Sequence, residues 1–408
     1  MKNIFPGYNK KTEQEIKKLW EDGIIMFDAN VLLNLYRYSN ETRKTIVDLI
    51  SKFKDKIWLP HQSALEYNKN RYEVIADQEK AYKEFTEKIT QIQKDLQSNS
   101  KPPFLSKKVH KDLNKVFEKV STEVEDSIEK YCNYLKSDPI YDELTELFEN
   151  RISESFDSEK LSKLYKEGQE RFDKKIPPGY EDEKNKQGNR KYGDFILWMQ
   201  VIEKAKESKS PIIFITDERK KDWWWKIKDG RNMGPRQELT EEIKEKANVD
   251  FHMYSSERFL SYGQNFLEEQ VDQVALEEIQ AMKKAEIEHL KILKRKSERN
   301  FKRSIREKDK IRFLEEKQMK LKDNIYQIDS HQNSLMRDGI DNSDIQEYIH
   351  NLSIQRAELE NELSEISDKI NSIKHNEWES NNLRNYATQK DLFKMFMRNE
   401  KDDSDKNN

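Results

Sequence analysis

The sequence predicts an α/β protein in which helices cover a parallel central sheet. A large helical insertion interrupts this domain, and an α-helical coiled coil follows it. Three observations carry the prediction. Four short, mostly continuous apolar runs lie in the first 260 residues, separated by helical stretches, as buried parallel strands are. Gly (10) and Pro (9) are scarce among 408 residues while 38% are charged, which is the composition of long solvated helices and not of a β-sandwich. From about Asn265 onward Pro is absent, Gly occurs only as Gly339, and apolar residues recur at three- and four-residue spacing.

Taken in order, the first run is Gly23-Ile24-Ile25-Met26-Phe27, ending at Asp28, and the second is Lys56-Ile57-Trp58-Leu59, ending at Pro60. Between Tyr67 and Lys175 no strand signal occurs. This charged helical stretch, broken at Lys101-Pro102-Pro103 and Asp138-Pro139, reads as an insertion over about 68–175. Ile176-Pro177-Pro178-Gly179-Tyr180 closes it, and a polar loop from Glu181 to Arg190 follows. The third run, Pro211-Ile212-Ile213-Phe214-Ile215-Thr216, ends at Asp217. The fourth, Val249 to Tyr254, ends at Ser255, a good helix N-cap.

Residues 1–262 thus form the first domain. Over 263–378 a seam runs through Ile311, Leu314, Leu321, Ile325, Ile328 and Leu335 and resumes from Ile345 to Ile373. Gln318, Gln332 and Arg356 interrupt it. The short loop around Gly339 favours an antiparallel helical hairpin, although the same seams can pair between chains as a homodimer or with a partner protein. Residues 379–408 read as a short helical or disordered tail.

Charge and composition exclude several classes. The 75 basic and 78 acidic residues nearly cancel, so nucleic-acid contact requires a local patch. A single Cys132 leaves no disulfide framework or Cys-rich zinc site. No signal-peptide core and no membrane-length apolar run is present, so a cytoplasmic location is expected. No Gly-rich phosphate loop precedes a Lys-Ser/Thr pair, which argues against an ATPase.

Ligands of open α/β sheets bind beyond the carboxyl ends of strands. Asp28 and Asp217 stand at two such ends, Glu66 follows the second strand, and Asp194 opens the apolar helix before the third. Taken singly, each of the three aspartates could merely cap or start a helix. Converged, the four would need a compensating cation, and an all-oxygen set suits Mg2+ or Mn2+.

The ordered set Phe27-Asp28-Ala29-Asn30, Glu66, Tyr192-Gly193-Asp194-Phe195 and Ile215-Thr216-Asp217 resembles the PIN nuclease superfamily. It is most similar to a bacterial PIN-like group that also carries Ile-Pro-Pro-Gly-Tyr before the third acid and a Trp-rich segment after the fourth, here Trp223-Trp224-Trp225. The resemblance covers about residues 1–262. It implies a Rossmann-like sheet and a metal-dependent phosphodiesterase acting on RNA ahead of DNA. Asp28, Glu66, Asp194 and Asp217 would be its metal ligands and catalytic residues, holding Mg2+ or Mn2+ to activate a water. Asn30 and Thr216 are candidates for orienting ligands, and Lys191 and Arg236 for touching phosphate. The tryptophans read as core more readily than as a base-stacking platform. Eleven cations against three acids over 291–312 offer a possible track for phosphates or simply a solvated helix face. A toxin-like or phage-defence effector is one expectation; a single-strand or flap DNA nuclease and a catalytically silent scaffold are the rivals.

Overall fold

The computed structural model describes residues 4–97, 105–183, 186–337 and 346–375. The Lys101-Pro102-Pro103 break, the Gly339 loop and the 379–408 tail lie outside them. Two compact units are present, 1–285 and 286–408.

In the first unit, α1 (Glu13–Asp22) leads to β1 (Ile24–Phe27), followed by α2 (Ala29–Asn34), α3 (Asn40–Lys52) and β2 (Ile57–Trp58). The insertion then runs through α4 (His61–Gln97), α5 (Lys107–Tyr134), α6 (Pro139–Leu147) and α7 (Ser158–Asp173). The chain returns through α8 (Gly193–Ser208), β3 (Ile212–Ile215), β4 (Trp224–Lys226), β5 (Asn232–Pro235), α9 (Gln237–Ala247), β6 (Phe251–Tyr254) and α10 (Ser256–Phe266). Last comes α11 (Gln273–Arg337), which continues into the second unit.

All four strands expected from the sequence join one parallel sheet, ordered β2-β1-β3-β6. Phe27 pairs with Ile215 and Ile215 with Tyr254, so three strands end level. Both faces are buried, which is why the runs are apolar without alternation. Ile25, Phe27, Ile213 and Ile215 enter one core with Ile46, Ile50 and Phe259. Met26, Ile212 and Phe214 enter the other with Trp198, Trp223 and Ile243.

Two strand pairings had no counterpart in the sequence reading. Within the insertion, Ile152 bridges Leu59 in parallel, with the Leu59 amide donating to the Arg151 carbonyl at 2.8 Å and the Ser153 amide to the Leu59 carbonyl at 3.0 Å. A one-residue bridge has no periodicity to reveal it. The Trp-rich segment forms β4 and pairs antiparallel with β5, outside the main sheet. The Asp138-Pro139 break is an N-cap: Asp138 accepts the Ile140 and Tyr141 amides at 3.1 Å and opens α6.

In the second unit, α11 and a helix over 346–375 run antiparallel. Leu314 and Leu321 pack with Ile366 and Ile370. The polar breaks in the seam pair across it: Gln318 donates to Ser367 Oγ at 2.9 Å, Gln332 to Ser353 Oγ at 3.0 Å, and Arg356 meets Asp329 at 2.7 Å. Such pairs fix register, because a slip would leave them unmatched. Among the described residues no helix is long and apolar enough to cross a membrane.

Candidate active site

The site is built on the level ends of β1 and β3. Asp28 follows β1 directly and is buried. Its Oδ2 accepts hydrogen bonds from Asn30 Nδ2 at 2.6 Å and Thr216 Oγ1 at 2.7 Å. Asn30 also accepts the Asp217 amide at 3.0 Å, and Thr216 accepts the Glu218 amide at 3.0 Å. These two side chains therefore orient the first acid and lock the loop after β3 to the start of α2.

Glu66 reaches the same edge from α4. Its Oε1 accepts from Gln62 at 2.6 Å and lies against the first residue of α8. A Cβ at Gly193 would stand 2.8 Å from that oxygen, so the glycine of the Tyr-Gly-Asp motif makes room for the acid beside it. Asp194, the next residue, accepts from Lys220 at 3.1 Å and from Trp223 Nε1 at 3.2 Å. Burial, then the charge of Glu66, push Asp28 up to about 8, with Asp194 and Glu218 adding to the rise. Burial likewise raises Glu66, and Asp194 adds to it. Asp28, Glu66 and Asp194 are thus brought into mutual electrostatic contact.

Asp217 is placed differently. Its carboxylate accepts Asn34 Nδ2 at 3.0 Å, the Ser256 amide at 3.0 Å and Ser256 Oγ at 2.6 Å, anchoring the loop to the first turn of α10. Glu218, one residue on, is the carboxylate of this loop that acts on Asp28. The sequence reading did not single out Glu218, nor Asp182 in the polar loop, nor Lys220. Lys220 Nζ lies 2.7 Å from Asp182, 2.9 Å from Glu218 and 3.1 Å from Asp194. Burial opposes its charge, yet the surrounding carboxylates, Asp194 foremost, raise its pKa.

The remaining candidates have other partners. Lys191 donates to Gln169 at 2.7 Å and pairs with Glu183 at 3.6 Å; Arg236 is bound to Glu238. Asp222 is wholly buried and accepts the Gly179 and Glu181 amides at 2.9 and 3.2 Å, clamping the Pro-Gly-Tyr turn. Trp223 and Trp224 are buried, Trp223 stacking on Phe214 at 5.4 Å. His61 opens α4, with its amide donating to Ser153 Oγ at 2.6 Å.

Among the described residues no three acidic, imidazole or thiolate groups stand as a ready-made metal chelate. The donor chemistry nonetheless suits a hard cation. The carboxylates gather around one cation already, the Lys220 ammonium, and Asp28 remains destabilised as an anion beside them.

A doubly covered parallel sheet with carboxylates gathered at its carboxyl edge places the protein among open α/β folds whose sites lie beyond the carboxyl ends of the strands. The family follows from the sequence match: a PIN-like domain model covers residues 24–239, more than half of the chain, and the protein belongs to that family. PIN domains are generally nucleases that act on nucleic acids with divalent metal ions. No curated protein and no solved structure matches the chain.

Proposed function

We propose that the protein is a Mg2+- or Mn2+-dependent endonuclease that hydrolyses phosphodiester bonds, in RNA in preference to DNA. The observation that carries this reading is the gathering of Asp28, Glu66 and Asp194 at the carboxyl edge of a PIN-like sheet, with Glu218 beside them. Those carboxylates would hold the metal. Asp217, held at the end of β3 by its hydrogen bonds to Ser256, would complete the metal-binding set. When bound, a divalent ion supplies Lewis acidity toward the phosphodiester and eases deprotonation of water.

The chain's own residues do the rest. Asn30 and Thr216 hold Asp28 in one rotamer, so the site is organised before a substrate arrives. Trp223, itself buried, holds Asp194 through its indole N–H. Lys220 tempers carboxylate repulsion and offers a cation where a phosphate oxygen would approach.

The test is cleavage of labelled single-stranded RNA and DNA by wild type and Asp28→Asn, with Mn2+ or with EDTA. Wild type with metal is expected to cut RNA faster than DNA. Asp28→Asn should lose about a thousandfold of that rate, as expected for a group acting in the transition state. DNA consumed in preference to RNA would replace the substrate. No cleavage by folded wild type in either metal would sink the reading.

A further inference from the structure

A second, separate feature of the first unit handles charge in the opposite way. A cavity of about 300 Å3 lies beside β6, between the N-terminal segment, the β4–β5 hairpin and α10. Lys10, Lys11, Arg258 and His252 line it, and none of its lining residues is acidic. In a chain with 78 acidic residues, that is a marked local imbalance. Among the described residues, the side chains of Lys10, Lys11 and Arg258 have no ion-pair partner. Both Lys11 and Arg258 act on His252, whose imidazole is driven down to about 3 by burial first and by these two cations next. The ring therefore stays neutral at physiological pH and leaves the positive charge to the longer side chains.

The walls are built rather than incidental. Gly7 lies so close to α9 that a Cβ would meet the Gln237 Cα and carbonyl oxygen at 2.7 Å, which seats the N-terminal segment against the domain. Tyr8 packs edge-on against Trp225 at 6.0 Å, and Tyr262 packs on Tyr254 at 5.3 Å, so two flat side chains are held at the cavity. Asn9 uses its amide nitrogen on the Phe5 carbonyl and keeps its oxygen free; Asn232 uses its oxygen on the Gly234 amide and keeps its nitrogen free. One acceptor and one donor thus accompany the cations and the aromatic faces.

We infer that this cavity is a binding site for a nucleoside monophosphate, its phosphate held by Lys10, Lys11 and Arg258 and its base set between Trp225 and Tyr262. The volume falls at the lower end of small-ligand sites, the size class of a single nucleotide. Unpaired cations in a partly enclosed wall favour a phosphate dianion, and aromatic faces accept any base. The nucleotide can be free or can be the 5′-phosphorylated end of a strand. The inference does not rest on the acidic site, which lies at other residues.

The experiment is calorimetric titration of adenosine 5′-monophosphate in EDTA into wild type, Asp28→Asn and the double variant Lys11→Gln/Arg258→Gln. Wild type and Asp28→Asn are expected to bind one equivalent with equal affinity, and the double variant at least tenfold more weakly. Adenosine without its phosphate should bind at least tenfold more weakly to wild type. Displacement of the nucleotide by a 5′-phosphorylated oligonucleotide, and not by its 5′-hydroxyl form, would identify a strand end as occupant; no displacement would identify the free nucleotide. Absence of saturable binding to wild type, or equal binding by the double variant, overturns the site. Equal loss in Asp28→Asn would move the ligand to the acidic edge and overturn it as well. Circular dichroism of the double variant checks that it is folded, as expected where a half-buried and an exposed side chain without ion pairs are replaced.

Discussion

The acidic edge and the cation-lined cavity belong to one compact unit and treat charge in contrary ways. At the edge, every acid is engaged by the protein itself: Asp28 by Asn30 and Thr216, Asp217 by Asn34 and Ser256, Asp194 by Lys220 and Trp223. In the cavity, Lys10, Lys11 and Arg258 are left without counter-ions. The difference teaches where structure ends and recognition begins. Charges knitted into a network carry both fold and chemistry, and their loss is felt in stability. Charges left open contribute little to folding and are available to a ligand.

Four substitutions break or sharpen this contrast, in descending order of effect. Asp28→Asn, the thousandfold loss of cleavage described above, should leave nucleotide binding at the cavity intact. Next is a fully internal pair in the same unit. Arg171 meets Glu242 at 2.7 Å, and both side chains are largely shielded from solvent. Arg171→Met should cost about 2–3 kcal/mol in urea unfolding at pH 7, because it removes a bidentate charged partner from a buried carboxylate that keeps only Lys246 at 2.8 Å and Trp198 Nε1 at 2.7 Å. Against the upward push of burial, Arg171 holds Glu242 down to about 2, below its ordinary 4.5. The folded state therefore binds this proton less tightly than the unfolded one. The pair's contribution is complete above pH 4.5 and is lost as pH falls toward 2. In Arg171→Met that acid-limb loss should shrink, since only Lys246 and Trp198 still hold the carboxyl down, and unfolding curves at pH 3 and 7 would reveal it.

Lys220→Met should have an intermediate effect, on the order of 1–3 kcal/mol, since it removes a charged partner from Asp182, Asp194 and Glu218 at once. Melting in EDTA and then in Mn2+ checks it: the variant should melt lower in EDTA and gain more from Mn2+ than wild type does. An identical metal response would show that Lys220 and the ion do not compete for the same carboxylates. The smallest effect is expected for Lys11→Gln, within about 0.5 kcal/mol of wild type, since this half-buried side chain has no ion pair to lose. A large destabilisation there would mean that the cavity's cations are structural after all.

The positions of the strands were legible because burial on both faces writes a continuous apolar run, and Ile24–Phe27 and Ile212–Ile215 are bounded by Gly, Pro and Asp. The four candidate acids were chosen for a related reason: Asp28 and Asp217 end strands, Glu66 follows one and Asp194 opens an apolar helix, the places from which a side chain can reach a sheet's carboxyl edge. What the sequence did not show was how two adjacent acids divide their contacts. Asp217 and Glu218 differ by one position in an irregular loop, and only the Ser256 hydrogen bonds reveal that Asp217 is turned toward α10. Lys220 and Asp182 were invisible for another reason. In a chain with 75 basic and 78 acidic residues, a cation or acid drawn into a site carries no mark that separates it from its solvated neighbours. The second unit shows the reverse case: Gln318 and Gln332 stood out as flaws in the seam and proved to face Ser367 and Ser353.

The single bridge between Leu59 and Ile152 has a consequence for solubility. A parallel sheet ending in a strand as short as β2 presents unpaired amides and carbonyls at its margin, an invitation to a neighbouring molecule's backbone. By spending Leu59's amide and carbonyl on Arg151 and Ser153, the segment between α6 and α7 acts as a stopper on that margin. Excising that segment would therefore do more than shorten the protein: it would leave Leu59's amide and carbonyl without partners at the edge of the sheet.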